Sequence, residues 1–202
     1  RLIMAVGAGW KEDEYRAYGY PFPRAGIRIE QLEDTLEILR RLWTEPGPVT
    51  YTGKHYQIVD AYCEPLPDPV PPIIVGGGGS KTMRLAAKYA DGWNLSDSNL
   101  EKYSDRLNVL RQHCADLGRD PQSIELSWFG RLAVGKTEAE ALALSSGRWN
   151  KDNAFVGTAQ ECIDLMQPFV ELGVSYFMLE ILGLPDPEIL SVVTETIFPA
   201  LR

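Results

Sequence analysis

The chain has 202 residues, 45% of them hydrophobic, which is enough for one sizeable core. It carries 20 Lys and Arg against 28 Asp and Glu, and this net charge of −8 argues against a nucleic-acid surface. Three cysteines without a CxxC pair predict reduced thiols in a cytoplasmic protein, and two histidines are too few for a histidine-based metal site. No apolar run reaches the ~18 residues that a membrane helix needs. The sequence therefore predicts one domain over residues 1–202, without nucleic-acid, membrane or metal partners.

Five short apolar runs, each followed by a helical pattern, organise the chain. The predicted strands are Leu2–Val6, Ile73–Val75, Trp93–Leu95, Ile124–Val134 and Tyr176–Leu179. Alternating strands and helices predict a parallel sheet with helices outside it. Five strand–helix pairs are too few to close an eight-stranded barrel, so an open doubly wound sheet and part of a (β/α)₈ barrel both fit the pattern. The abrupt entry into a strand after Arg1 favours part of a barrel.

The connections between these strands contain the predicted helices and one insertion. Apolar spacing predicts helices over Ile29–Trp43, Met83–Ala90, Leu100–Leu117 and Pro187–Leu201, and capping boxes begin two more at Thr137 and Thr158. The segment from residue 49 to 66 interrupts the alternation of strands and helices and is typical of an inserted hairpin. Residues 11–26 are predicted to form a loop, because turn residues dominate there.

Four consecutive glycines carry the strongest functional signal. Gly76, Gly77, Gly78 and Gly79 follow a strand and precede a helix, and the hydroxyls of Ser80 and Thr82 come next. Amides at a helix N-terminus attract anions, and glycine lets a phosphate approach the backbone. The pattern predicts a phosphate cradle. The alternative is a flexible turn with Ser80 as the helix N-cap.

A second turn of small residues ends the first strand. Gly7, Ala8 and Gly9 allow a planar ring to lie against the backbone, and Trp10 is then expected to line the pocket. The alternative is a tight strand-to-loop turn in which Trp10 packs on the loop. His113 lies on a predicted helix and is expected to lie outside the chemistry.

Three segments together resemble the luciferase-like monooxygenase family, and most closely its deazaflavin (F420)-dependent branch. They are Arg1–Trp10 (RLIMAVGAGW) with Glu14-Tyr15, Pro71–Thr82 (PPIIVGGGGSKT) continuing into ADGWN at residues 90–94, and Val156–Thr158 with Gly173-Val174. The resemblance implies a luciferase-like (β/α)₈ TIM barrel, of which this chain is expected to contain strands four to eight. It also implies that the cofactor phosphate lies on the four-glycine turn and the ring beside Gly7–Trp10.

The resemblance implies an oxidoreductase that uses F420 for hydride transfer to or from a small organic substrate, and homodimers are common in the family. An FMN-dependent monooxygenase, a non-catalytic flavin-binding relative and a barrel that binds a sugar phosphate stay open as alternatives.

No catalytic residue is assigned. Trp10 stands where some relatives carry a catalytic Glu, and the acid or base is expected in the absent strands one to three, so the chain alone is expected to be inactive. Glu14 matches an acidic position of the family and is either a pocket residue or a solvated loop residue. Asn94 ends a strand and either faces the ligand or bonds a neighbouring loop.

Overall fold

The chain divides into two compact units. The first holds the residues up to Trp93 together with Leu110–Ile124, and the second holds Asn94–Val109 and the residues from Glu125 onward. The computed structural model describes residues 2–201, so Arg1, the first residue of the family-like segments, lies outside the described residues. The prediction of one domain over 1–202 stays a prediction.

The first unit is built on a pair of parallel strands. It contains β1 (Met4–Val6), α1 (Glu12–Ala17), α2 (Ala25–Thr44), β2 (Val49–Thr52), β3 (Gln57–Ala61), β4 (Ile73–Gly76) and α3 (Ser80–Tyr89). β1 pairs with β4 in parallel, with Met4 opposite Ile73 and Val6 opposite Val75. β5 (Gly92–Ser96) begins in this unit, and α4 (Leu100–Asp116) ends in it. Ile73, Ile74 and Val75 are buried, as a strand covered on both faces requires.

The predicted loop over residues 11–26 is partly wrong, because α1 forms within it and α2 begins at Ala25. α1 has three acidic residues in its first turn, which favour a helix N-terminus, and Arg16 bonds Glu12 one turn away at 2.6 Å. None of its residues is buried. A helix without an apolar face leaves no periodic signal in the sequence.

The predicted hairpin is confirmed, and one buried carboxylate fixes it to α2. β2 and β3 pair antiparallel. Asp34 of α2 accepts hydrogen bonds from the backbone amides of Lys54, His55 and Tyr56 at 3.2, 2.6 and 3.0 Å, and from the Tyr51 hydroxyl at 3.0 Å. Burial opposes ionisation of Asp34, but these donors outweigh it and hold the pKa of the carboxyl below its ordinary value.

The second unit is built around one long strand. In chain order it adds β6 (Glu125–Val134), α5 (Glu138–Leu144), β7 (Phe155–Gly157), α6 (Ala159–Glu171), β8 (Val174–Ile181) and α7 (Pro187–Val192), and α7 continues through a π-helical turn (Val193–Ile197) into α8 (Phe198–Ala200). β6 pairs in parallel with both β7 and β8. The three-residue β7 was not predicted.

Aromatic packing on one face of β6 forms the core of the second unit. Trp128 is fully buried, and its ring centroid lies 4.3 Å from that of Phe155 and 6.1 Å from that of Phe169 on α6. Tyr103 packs edge-on against Phe169 at 5.4 Å. This face of β6 is therefore the one that the helices cover.

The capping box predicted at Thr158 is confirmed. The Thr158 hydroxyl accepts from the Glu161 amide at 3.4 Å, and the Glu161 carboxylate accepts from the Thr158 amide at 2.9 Å. The Thr158 amide, with Lys151 at 2.9 Å, lowers the pKa of Glu161 to about 2.

Candidate functional site

The two glycine turns of the first unit lie side by side. The β1–β4 register puts Val6 opposite Val75, so both turns leave the carboxyl ends of neighbouring parallel strands. A Cβ added to Gly7 would lie 3.2 Å from the carbonyl oxygen of Gly76. This close approach explains why a residue without a side chain stands at Gly7. Ligands of parallel α/β proteins bind at this end of the strands.

The four-glycine turn ends in a helix N-terminus that no side chain caps. The N-cap of α3 is Gly79, which makes no side-chain cap hydrogen bond, so the alternative with Ser80 as N-cap is wrong. Gly77 has a φ of +132°, a conformation that only glycine adopts without strain. The first backbone amides of α3 can therefore donate hydrogen bonds to an anion. Thr82 is buried against Gly77, whereas Ser80 is exposed.

Two residues of the ADGWN motif fix the strand before this turn. The indole Nε1 of Trp93 donates to the carbonyl oxygen of Gly77 at 2.9 Å. Asp91 accepts from the Ile73 amide at 2.8 Å and from Arg40 of α2 at 2.7 Å. The motif thus anchors both ends of β4. Asp91 and Trp93 therefore stabilise the structure of the first unit.

His113 lies closer to the cradle than the sequence indicates. Its Nε2 is 3.1 Å from the Ser80 hydroxyl, and its Nδ1 is buried without a hydrogen-bond partner among residues 2–201. No sequence signal connects the two residues, because 33 positions separate them.

The Gly7–Trp10 turn is held in place by side chains that pack behind it. Gly9 has a φ of +71°, and the Tyr15 ring occupies the space that a Cβ would need. Arg28 of α2 donates to the Ala8 carbonyl at 3.1 Å, and its guanidinium lies 3.9 Å from the Phe22 ring centroid. Trp10 is 83% exposed, so its ring is available as a wall for a ligand.

The two proposed pocket residues lie in different surroundings. The Glu14 side chain is 63% exposed and forms an ion pair with Lys11 at 3.4 Å, which favours the solvated alternative. In the second unit, the Asn94 amide donates to the Ser127 hydroxyl at 3.1 Å, so this side chain has a protein partner on β6.

Other features of the described residues do not enlarge the candidate site. Between residues 2 and 201, no group of three His, Cys, Asp or Glu side chains is placed to hold a metal ion. No helix of that range is long and apolar enough to span a bilayer. A cavity of about 870 Å³ in the second unit lies among α5, α7 and the start of α6, and no predicted site residue lines it.

Comparison with known proteins gives the family and the fold. The model of the luciferase-like monooxygenase family matches residues 1–151. The F420-dependent glucose-6-phosphate dehydrogenase of Segniliparus rotundus is 32% identical over 127 residues, which are 62% of this chain and 38% of that protein. The chain thus aligns with less than half the length of this relative.

Solved structures match the whole chain. An F420-dependent secondary alcohol dehydrogenase in complex with an F420-acetone adduct superposes with a TM-score of 0.83 at 22% identity, over 100% of this chain and 70% of that one. The monooxygenase RslO1 of Streptomyces bottropensis superposes with a TM-score of 0.79 at 19% identity, over 100% and 69%. These matches identify the α/β fold of the luciferase-like TIM barrels. With the family model covering three quarters of its residues, the chain belongs to the luciferase-like monooxygenase family.

Proposed function

We propose that the chain is the F420-binding part of an oxidoreductase that transfers a hydride to or from a small organic substrate. The observation that carries this proposal is the pair of adjacent glycine turns, one of which ends in the uncapped N-terminus of α3. The curated relative reported above and one matching structure are named as F420-dependent dehydrogenases, which supports F420 over FMN.

The residues present fit a cofactor with a phosphate at one end and a flat ring at the other. The amides at the start of α3 and the hydroxyls of Ser80 and Thr82 would hold the phosphate. The bare backbone of Gly7–Gly9 and the exposed ring of Trp10 would form one wall for the ring system. When bound, F420 supplies the hydride donor or acceptor, and the protein contributes binding, orientation and exclusion of water.

The strands β1, β4, β5, β6 and β8 correspond to barrel strands four to eight. The acid or base of the reaction comes from barrel strands one to three. A cytoplasmic location and homodimer formation stay predictions.

The test is a titration of the chain, and of a longer protein that contains it, with F420 and with FMN, followed by cofactor fluorescence. Saturable F420 binding that Gly77→Ala weakens supports the proposal. Tight FMN binding without F420 binding would replace it with the flavin-dependent alternative. F420 binding by the longer protein without turnover of any alcohol, ketone or sugar phosphate would indicate a non-catalytic relative.

A further inference from the structure

A hydrogen bond within the first unit joins the end of α4 to the start of α3. Nε2 of His113 lies 3.1 Å from the hydroxyl of Ser80. Ser80 is the first residue of α3 and directly follows the N-cap Gly79, so its hydroxyl lies beside the uncapped amides. The residue is exposed, and its hydroxyl has no other hydrogen-bond partner among residues 2–201. This hydroxyl can therefore also bond a ligand, since it has one donor and two acceptor sites.

The His113 ring is held at this place by the packing of its helix. It is half-buried and stands next to the fully buried Cys114, at the edge of the helix face that packs inward. Farther along the chain, Arg119 donates to the carbonyl oxygens of Ala87 and Ala90 at 3.1 and 2.7 Å. These two carbonyls lie at the other end of α3. Side chains from the end of α4 and the segment after it thus bond both ends of α3.

The buried nitrogen of the ring determines which atom donates in the bond to Ser80. Nδ1 of His113 is buried and has no hydrogen-bond partner in the described range 2–201. A proton on Nδ1 would be a buried donor without an acceptor, and such donors are rarer in proteins than unpaired acceptors. The neutral ring is therefore expected to carry its proton on Nε2. Nε2 then donates to the Ser80 oxygen, and the hydroxyl hydrogen of Ser80 is not used in this bond.

The direction of this bond determines what Ser80 can offer to a phosphate. In the opposite tautomer, the Ser80 hydroxyl would donate to Nε2 and would present only lone pairs to a ligand. With the ring as donor, the hydroxyl hydrogen can point to the ligand, and the bond from the ring polarises the hydroxyl and strengthens it as a donor. Ionised phosphate oxygens accept hydrogen bonds, so they require a donor at this position.

We propose that His113 is a positioning residue of the phosphate cradle, which fixes the Ser80 hydroxyl as a hydrogen-bond donor to the cofactor phosphate. His113 acts through Ser80 and does not itself contact the phosphate. The inference rests on the proposed function for the presence of that phosphate, whereas the position of the ring proton is a property of the chain alone.

The first experiment determines the tautomer without a ligand. Long-range ¹H–¹⁵N correlation spectra distinguish a protonated ring nitrogen from an unprotonated one, and they are recorded at about pH 8.5, where imidazole side chains are neutral. The chain has only two histidines, so His55→Gln identifies the signals of His113. We expect the proton on Nε2. A proton on Nδ1 would overturn the proposal, whichever cofactor the chain binds.

The second experiment compares F420 with the deazaflavin riboside that lacks the phosphate, by cofactor fluorescence. Ser80→Ala removes the hydroxyl, and His113→Phe keeps a ring without a donor. Each should weaken F420 binding about 10-fold and leave the affinity for the riboside unchanged. His113→Gln places an amide donor near the position of Nε2 and should bind F420 as wild type does. A merely structural role of His113 would weaken both ligands alike.

A double variant tests whether His113 acts through Ser80. Ser80→Ala/His113→Phe should lose no more affinity for F420 than Ser80→Ala alone, because the ring has nothing left to position. Additive losses would show that His113 acts independently of Ser80 and would overturn the proposal. Gln112→Ala is the matched control on α4, since it removes an exposed hydrogen bond to Asp116 and should leave both affinities unchanged.

Failure of the inference and failure of the proposed function give different results. F420 binding that neither Ser80→Ala nor His113→Phe weakens would overturn the inference alone. If the chain binds FMN in place of F420, FMN and riboflavin form the same pair of ligands with and without phosphate. Loss of affinity for FMN but not for riboflavin in these variants would then support the inference, while the F420 proposal fails. Absence of binding by F420 and FMN would overturn both.

Discussion

Replacing Gly77 by alanine tests the phosphate cradle most directly. Gly77 has a φ of +132°, and the added methyl would lie 3.3 Å from Cγ2 of the buried Thr82. Backbone conformations of this kind cost about 1–3 kcal/mol in a residue with a side chain. Either the substitution strains the folded state by that amount, or the turn rearranges and the α3 amides lose their alignment.

Gly118→Ala is the matched control. Gly118 also has a positive φ, +66°, but no atom lies within 4 Å of the position of a new Cβ. The expected cost is about 1–2 kcal/mol from the left-handed backbone alone. Both variants should therefore melt lower, by about 2–4 °C for each kcal/mol. Only Gly77→Ala changes the four-glycine turn.

The decisive measurement is the dissociation constant for F420, obtained from cofactor fluorescence beside thermal melts of the same samples. A loss of about 1.4 kcal/mol of binding free energy corresponds to tenfold weaker binding, which is the change we expect for Gly77→Ala. Gly118→Ala should bind as wild type does. Wild-type affinity in Gly77→Ala would refute the phosphate cradle, and equal losses in both variants would show only general destabilisation.

Substitutions of Asp34, Trp93 and Glu161 test the hydrogen bonds of these side chains. Asp34→Asn should lower the free energy of unfolding by about 1–3 kcal/mol in urea titrations at pH 7, because one of the two oxygens that accept from the hairpin becomes an NH2 group, which only donates. Since the folded state holds the pKa of Asp34 below 3.8, this difference should shrink as the pH falls below that value. Trp93→Phe should weaken F420 binding without touching the cofactor, because the Gly77 carbonyl loses its donor; unchanged affinity would contradict this. Glu161, whose pKa is lowered to about 2, stabilises the fold above pH 4.5 and loses this effect on acidification toward pH 2, so Glu161→Gln should flatten the acid-unfolding curve in that range.

Features set by neighbouring residues could be predicted from the sequence. The buried run Ile73–Val75, the glycines after it and the capping box at Thr158 all act over a few positions, and each lies where the pattern puts it. α1 escaped prediction because none of its residues is buried, so it lacks an apolar stripe of helical spacing.

Contacts between distant residues left no signal. Arg28 reaches Ala8 across 20 positions, His113 reaches Ser80 across 33, and Arg131 reaches Glu180 across 49. Each pair depends on the register of strands or on how helices pack, and one sequence does not specify these. The sequence could therefore indicate the cradle but not the side chains that position it.

The ADGWN motif explains how a run of four glycines can serve as a rigid binding turn. Glycine has the largest backbone entropy to lose, so an unsupported turn of this composition would be mobile, and a ligand would have to order it. Asp91 fixes the start of β4 through the Ile73 amide, and Trp93 fixes the first bend of the turn through the Gly77 carbonyl. Because the donors and acceptors of both bonds belong to the chain itself, these bonds restrict the turn and lower the entropic cost of binding a ligand there. The α3 amides can stay uncapped because these two side chains stabilise the strand and turn that lead to them.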